Sequence, residues 1–317
     1  MFRTVITVCA IALATSAVAQ DYPNRPVRMI SPNPPGGAND TIGRIIAVKL
    51  GDVLGQPMVI DNRGGAGGTL GAEIAAQANS DGYTLLAGSV STHSFSPALK
   101  ARLNYDPVKD FTPISLVGIF GFFVFSHASM PVYTIGDLIG YARANPGAIN
   151  YGTGNATSIL ATGLFAAQQK LDMVHIPYKG DGPLSIDLIA GRVNVAIATP
   201  GTLAPQVKEG KLRVLATLLP SRNQLLPTAP TMSEAGLLNV PITPWGGLFG
   251  PPKLPKEVVD RVNREIAIVL ARPEVKDAFG RLAFEPRSST PQELSAFVAQ
   301  QLDAYGRGVR AMNLSLD

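Results

Sequence analysis

The sequence predicts an α/β protein with largely parallel sheets, folded as two lobes joined by two crossing strands. A short apolar strand, a Gly/Ser/Pro loop and an amphipathic helix recur in six successive units, the pattern of strands that need crossover helices between them. The units fall into two groups, 23–110 and 148–219, and a strand, proline turn and helix follow each group. These two segments bracket the second group, so they are the expected crossings, with the C-terminal helices returning to the first lobe. A single nine-stranded sheet is the alternative. The expected division is 1–19 as an export signal, 20–122 with 244–317 as the first lobe, and 123–243 as the second.

The elements follow in order. Val27 to Ile30 leads through Pro34-Pro-Gly-Gly37 into a helix over 39–54. Met58 to Ile60 leads through Asn62-Arg-Gly-Gly-Ala-Gly-Gly68 into a helix over 69–79. Tyr83 to Ala87 leads to the loop Gly88-Ser-Val-Ser-Thr-His93. Phe120 to Phe125 reads as a strand, followed by Pro131 and a helix over 134–144. In the second group, Ile149 to Tyr151 leads through Gly152-Thr-Gly-Asn-Ala-Thr-Ser158 into a helix reaching Lys170. Val174 to Ile176 leads through Tyr178-Lys-Gly-Asp-Gly182 into a helix over 183–190, and Val195 to Ala198 leads to Thr199-Pro-Gly201. Trp245 to Gly250 precedes Pro251, Pro252, Pro255 and a helix over 256–271.

Residues 1–19 have the form of a secretory signal: Arg3, an apolar run from Val5 to Ala14, then Ala17-Val18-Ala19 as a small-x-small cleavage site. The run is too short to span a bilayer. The expected mature chain is exported, soluble and periplasmic. The one cysteine, Cys9, falls inside the signal, so no lipid anchor, disulfide, thiolate metal site or cysteine nucleophile is expected. The formal charge of +4 comes from scattered basic residues, whereas a nucleic-acid face needs a clustered stripe. With 32 glycines and 26 prolines in 317 residues, the chain is rich in tight, preformed loops.

Those loops carry the chemistry. In sheets of this kind, ligands sit beyond the carboxyl ends of the strands, where loops and helix N-termini converge. The elbow from Pro34 to Asp40 ends where a helix leaves backbone N–H groups unpaired and its dipole favours an anion. It is either a ligand contact or a tight strand-to-helix turn. Asp40 either orients that loop or meets a ligand amine. Ser89, Ser91 and Thr92 offer hydroxyls at a strand end, and His93 either packs the loop or touches ligand. Thr157 and Ser158 suit helix N-caps, a role compatible with binding. Lys179 is a cation of these loops or a solvated lip residue; Trp245 is core or hinge packing rather than a stacking platform.

Three other chemistries lack their residues. Gly65-Ala-Gly67 is followed by Leu70 where a dinucleotide fingerprint needs its third glycine, so Asn62–Gly68 reads as a structural turn or pocket wall. His93, His127 and His175 are too widely spaced for a metal signature. There is no Gly-x-Ser-x-Gly elbow, and no serine stands out as a nucleophile. No cofactor, metal or catalytic residue is expected.

Several motifs then align along the chain: Tyr22-Pro-x-Arg-Pro-Val-Arg28, Pro34-Pro-Gly-Gly-x-x-Asp40, Asn62-Arg-Gly-Gly-Ala-Gly-Gly68 and Asp81-Gly-Tyr-Thr-Leu-Leu86. Tyr105-Asp-Pro-Val-Lys-Asp-Phe-Thr-Pro113, Tyr178-Lys-Gly180, Gly210-Lys-Leu-Arg213, Pro230-Thr-x-x-Glu-Ala-Gly236 and Trp245-x-Gly-Leu-Phe249 continue the series. With them the chain resembles the substrate-binding proteins of tripartite tricarboxylate transporters, the Bug family of periplasmic receptors. The resemblance implies a type II periplasmic-binding-protein fold, a Venus flytrap closing on a small carboxylate. It also implies a membrane partner of one large and one small subunit. It carries ligand contact onto Pro35, Gly36, Gly37, Ala38, Asn39 and Asp40, and onto Ser89, Ser91, Thr92 and His93. Across the cleft it carries contact onto Gly154, Asn155, Ala156, Thr157 and Ser158, with Tyr178, Thr199 and Pro200 nearby. Many members have a histidine after the second-lobe loop, where this chain continues Ser158-Ile159-Leu160.

The expected function is therefore a monomeric, non-enzymatic periplasmic receptor. Neutral donors of the first lobe would capture a carboxylate, and hinge closure would complete the cage. A receptor feeding a sensor protein and an exported serine-type hydrolase are the alternatives.

Overall fold

The structure is a computed structural model that describes residues 22–36, 38–100, 102–178 and 180–311. The expected export signal with Cys9, and the loop residues Gly37 and Lys179, lie outside the described residues. The first third runs β1 (Val27–Ser31), α1 (Ala38–Leu54), β2 (Met58–Asn62), α2 (Thr69–Ala76), β3 (Thr84–Ser89), α3 (Ser96–Leu99) and β4 (Thr112–Phe120). Next come β5 (Phe123–His127), α4 (Ile135–Ala144), β6 (Asn150–Thr153), α5 (Ala156–Gln169), β7 (Val174–Pro177), α6 (Asp181–Ile189), β8 (Val195–Ala198), α7 (Leu203–Lys208) and β9 (Leu212–Thr217). The chain ends with β10 (Trp245–Gly250), α8 (Lys256–Ala271), α9 (Pro273–Gly280), β11 (Phe284–Pro286) and α10 (Pro291–Ala311).

The strands form two sheets, β11-β4-β10-β3-β1-β2 and β7-β6-β8-β5-β9, which rules out the single nine-stranded sheet. The sheets are mixed rather than largely parallel. β1 pairs in parallel with β2 and β3, and β6 with β7 and β8. β10 and β5 run against both of their neighbours. Each is the strand that follows a passage between sheets. A chain entering a sheet from the side where the other strands end must run the opposite way.

Phe120–Phe125, read from sequence as one strand, is two. β4 ends at Phe120, Gly121 and Phe122 cross the gap, and β5 begins at Phe123. Residues 218–244 carry the chain back. The loop expected over 88–93 is also nearly absent: β3 runs to Ser89, and a π-helical turn, Ser91–Phe95, leads directly into α3.

Burial explains the helices. α8 buries Val258, Val262, Ile266 and Val269, spaced along one helical face, in a core shared with Ile42, Ile46 and Leu50 of α1. Each such side chain contributes about 1.5–3 kcal/mol on full burial. α4 starts with a reciprocal cap, Thr134 accepting from the Asp137 amide while Asp137 reaches back to the Thr134 amide. α10 rests on the π turn, α3 and β4 and continues to α5, so it touches elements flanking both sheets. Tyr305 of α10 is fully buried in the same core as Leu160 of α5.

Candidate functional site in the cleft between the sheets

A cavity of about 310 Å³ opens between the two sheets. Asn33, Asn39, Ser89 and Ser91 line it from the first sheet's side, and Asn155, Thr157, Asp181 and Thr199 from the second's. Phe120, Phe122 and Trp245, at the passages between sheets, make an aromatic wall. Three helix starts meet here: Asn39 belongs to the first turn of α1, Thr157 to that of α5, and Asp181 to that of α6. Their first-turn amides have no partners within the helix. Two larger hollows, about 550 and 660 Å³, share no residue with the predicted loops.

On the first side the elbow is held from within. Asp40 is 1% exposed and accepts hydrogen bonds from the Gly36 amide (2.9 Å), Arg44 Nε (2.8 Å) and Asn62 Nδ2 (2.6 Å). Burial alone would raise its pKa; the bonds from Arg44, Asn62 and Gly36, with the Arg44 charge, outweigh burial and hold it below the ordinary value. Of the two roles open to Asp40, the geometry is that of a loop organiser. Gly36 spends its N–H on Asp40, Pro35 has none to donate, and both are exposed outside the cavity lining. Asn62 also donates to the Asn33 carbonyl (3.0 Å), so the glycine-rich turn buttresses the elbow.

Ser89 and Ser91 line the cavity and bond to each other, Oγ to Oγ at 2.9 Å. Thr92 and His93 are not among the residues that line it, and His93 takes the loop-packing role of the two open to it. Thr92 Oγ1 accepts from the Ser89 amide (2.9 Å), donates to the Ser89 carbonyl (3.0 Å) and lies 2.7 Å from His93 Nδ1. His93 is fully buried, stacked on Phe249 at 4.0 Å between ring centres and tilted against Phe111. Burial pushes its pKa down to about 3, so it is neutral.

On the second side Asn155 caps α5. Its Oδ1 accepts from the Ser158 amide (2.9 Å), and Ser158 Oγ accepts from the Asn155 amide (3.1 Å). Ser158 is thereby a buried cap and not a lining residue. Asn155 Nδ2 donates to both oxygens of Asp181, at 2.9 and 3.2 Å. Gly154 is where the two loops touch: a Cβ there would lie 2.3 Å from Asp181 Oδ1 and 2.7 Å from the Asp181 nitrogen. Tyr178 and Pro200 stand outside the lining; the Tyr178 hydroxyl donates to Asp187 (2.8 Å), and the Pro200 carbonyl accepts from Leu203 and Ala204. Gly37 lies outside the described residues, and Ala38 and Ala156 are the first helical residues of α1 and α5.

Asp181 is the charged lining residue that sequence reasoning missed. The loop Tyr178–Gly182 drew notice for its tyrosine and lysine, while the acid beside them faces the cavity. Burial raises its pKa, opposed by the bonds from Asn155 and Thr199. Among the described residues lining the cavity it is the one ionisable side chain. No group of described residues could hold a metal ion, and no described helix is long and apolar enough to cross a membrane.

Two mixed sheets, two passages between them and a loop-lined cleft define the two-lobed fold of periplasmic solute-binding proteins. The chain belongs to the tripartite tricarboxylate transporter receptor family, whose model matches residues 42–314. It is 35% identical over 313 residues to a UPF0065 protein from the tcbD–tcbE intergenic region of Pseudomonas sp. strain P51, covering 96% of this chain and 92% of that one. It is 32% identical over 314 residues to BugT of Bordetella pertussis, covering 98% and 96%. Among solved structures, R. palustris Rpa4515 with adipate superposes with a TM-score of 0.77 at 30% identity, covering 93% of this chain and 99% of that chain. MatC of Rhodopseudomonas palustris with bound malate gives 0.72 at 29%, covering 91% and 100%. The chain is thus a solute-binding receptor by family.

Proposed function

We propose that this receptor captures a small carboxylate in the cleft, in the periplasm and as a monomer, and delivers it to a membrane transporter of one large and one small subunit. The observation that carries the reading is the convergence of three helix starts and the Ser89, Ser91, Thr157 and Thr199 hydroxyls on one cavity of about 310 Å³. Such donors bind an anion by charge-assisted hydrogen bonds without a buried cation. The small acids bound by similar proteins, adipate and malate, agree in chemistry and scale.

In this reading 20–122 with 244–317 is one lobe and 123–243 the other, exported after removal of 1–19. The ligand stabilises closure by binding the closed form better than the open one. The protein performs no reaction. Ser89 and Ser91 bond to each other, and Ser158 is a cap. His93 Nδ1 meets Thr92, and His175 Nε2 meets Thr153 at 2.7 Å, so no described histidine is set as base beside a described cleft serine.

Isothermal titration against mono-, di- and tricarboxylates tests the binding step. Saturable heat with at least one acid is expected; no heat with any member refutes the reading.

A further inference from the structure

Among the described residues the cleft holds an acid without a cationic partner, where the family reading expects an anion to bind. Asp181 lines the cavity opposite Ser89, Ser91 and Asn39. Its carboxylate is set in place by Asn155 Nδ2 on both oxygens and by the Thr199 hydroxyl, both neutral groups. Among the described residues no cation pairs with it. Gly154 has no Cβ to displace it and Gly180, with φ 142, turns the chain into α6. The loops are therefore built to present this carboxylate to the cavity.

We propose that the site takes a carboxylate that also bears a protonated amine, the ammonium set against Asp181 and the carboxylate against the first-side donors. This rests on the receptor reading above and names its substrate class. A ligand carrying only carboxylates would bring like charge to Asp181 in a partly dehydrated cleft. A ligand ammonium supplies a counter-charge, and its three donors suit the oxygen positions that Asn155 leaves free. The competing arrangement is a protonated Asp181 donating to a ligand carboxylate, which burial alone would favour.

The two arrangements differ in the sign of their pH response. The groups facing Asp181 do not obscure it. Asn155 and Thr157 of the α5 start, Thr199 before α7, Asn39 of α1 and Ser89 and Ser91 after β3 do not titrate in this range. Tyr305 of α10 lies by Thr157, with its pKa raised by burial, and Tyr178 with Arg192 is engaged by Asp187 of α6. Lys179, next along the chain, lies outside the described residues.

The test is isothermal titration of the full chain with matched pairs: succinate and L-aspartate, glutarate and L-glutamate, butyrate and 4-aminobutyrate. At pH 7 at least one amine-bearing member should bind about tenfold or more tighter than its partner. Asp181→Asn, of the same shape, should abolish that preference, with its melting curve recorded to show that it folds. Affinity for the aminated acid should fall as pH is lowered through the carboxylate range. Equal or tighter binding of the amine-free acids at pH 7, or a preference that survives in Asp181→Asn, would each overturn the proposal and leave the receptor reading standing. No heat with any acid would refute the receptor reading itself, and this inference with it.

Discussion

Asn155 and Asp181 are joined through one side chain that does two jobs. Asn155 Oδ1 caps α5 by accepting from the Ser158 amide, and its Nδ2 grips both carboxylate oxygens of Asp181 at 2.9 and 3.2 Å. Helix stability and the orientation of the cleft acid are therefore coupled. Serine and aspartate both cap helices well, but aspartate in this place would face Asp181 with like charge. Asn155→Asp is expected to be less stable at pH 7 than Asn155→Ser by about 1 kcal/mol or more, roughly 2 °C in Tm for a chain of this size. The difference should vanish when Asp181→Asn is added, as read by a double-mutant cycle from urea unfolding. Persistence of the full difference in the Asp181→Asn background would show that the two residues do not communicate.

Gly154 enforces the same contact sterically. A Cβ there would lie 2.3 Å from Asp181 Oδ1, 2.7 Å from the Asp181 nitrogen and 2.7 Å from the Gly180 carbonyl carbon. Two of these atoms are backbone and cannot swing aside. Gly154→Ala should push the α6 start away and weaken binding of whichever acid titrates best by about tenfold or more, with the circular dichroism spectrum retained. Gly182→Ala is the control, since a Cβ there meets nothing within 4 Å. Equal affinities for the two variants would remove the contact from the binding mechanism.

The same loops show how far one sequence reaches. The elbow, the hydroxyls after β3 and the Gly/Asn/Thr turn before α5 were legible because helix starts and strand ends announce themselves in local composition. That Asp181 meets Asn155 was not, since 26 residues separate them and only the stacking of two loops over parallel β6 and β7 brings them together. Phe120–Phe125 misled for a related reason. An apolar run looks the same whether it fills one sheet or passes from one to another. Ser158 was chosen as a hydroxyl at a helix start and Thr92 as one at a strand end; the Ser158 oxygen is committed to the α5 cap and the Thr92 oxygen to the Ser89 backbone.

Asp40 should matter for stability and for its response to acid. Its carboxylate is buried and takes three hydrogen bonds, one from a cation, each to a charged group being worth about 1.5–3 kcal/mol. Asp40→Asn is expected to cost about 2 kcal/mol at pH 7. Because the folded-state pKa is depressed, the unfolded chain takes up the proton first as pH falls. The contribution of Asp40 is therefore full above about pH 4 and is lost as pH falls through the folded-state value. Urea unfolding from pH 6 to pH 2 should show wild type and Asp40→Asn converging at the acid end. A constant gap over that range would mean that Asp40 is not held as an anion.

His93 gives a second acid response, in a different window and of distinct origin. Its ring is sealed between Phe249 and Phe111, Nδ1 meets Thr92, and Nε2 finds no hydrogen-bond partner among the described residues. An imidazolium there would need an acceptor for its Nε2–H that the aromatic cage does not offer, and burial drives the pKa from 6.5 to about 3. The folded state thus resists the proton while the unfolded chain accepts it, so stability falls as pH drops from 6.5 towards 3, by up to about 1.4 kcal/mol per pH unit. His93→Phe removes the titration and keeps the stacking, at an overpacking cost of about 1–3 kcal/mol. Its unfolding free energy should be nearly flat from pH 6.5 to pH 5, where wild type declines and Asp40 does not yet titrate. Since His93 lies outside the cavity lining, ligand affinity at pH 7 should be unchanged in this variant. An imidazole that titrates near 6.5 by NMR in the folded protein, or lost affinity with stability retained, would put His93 back into the cleft.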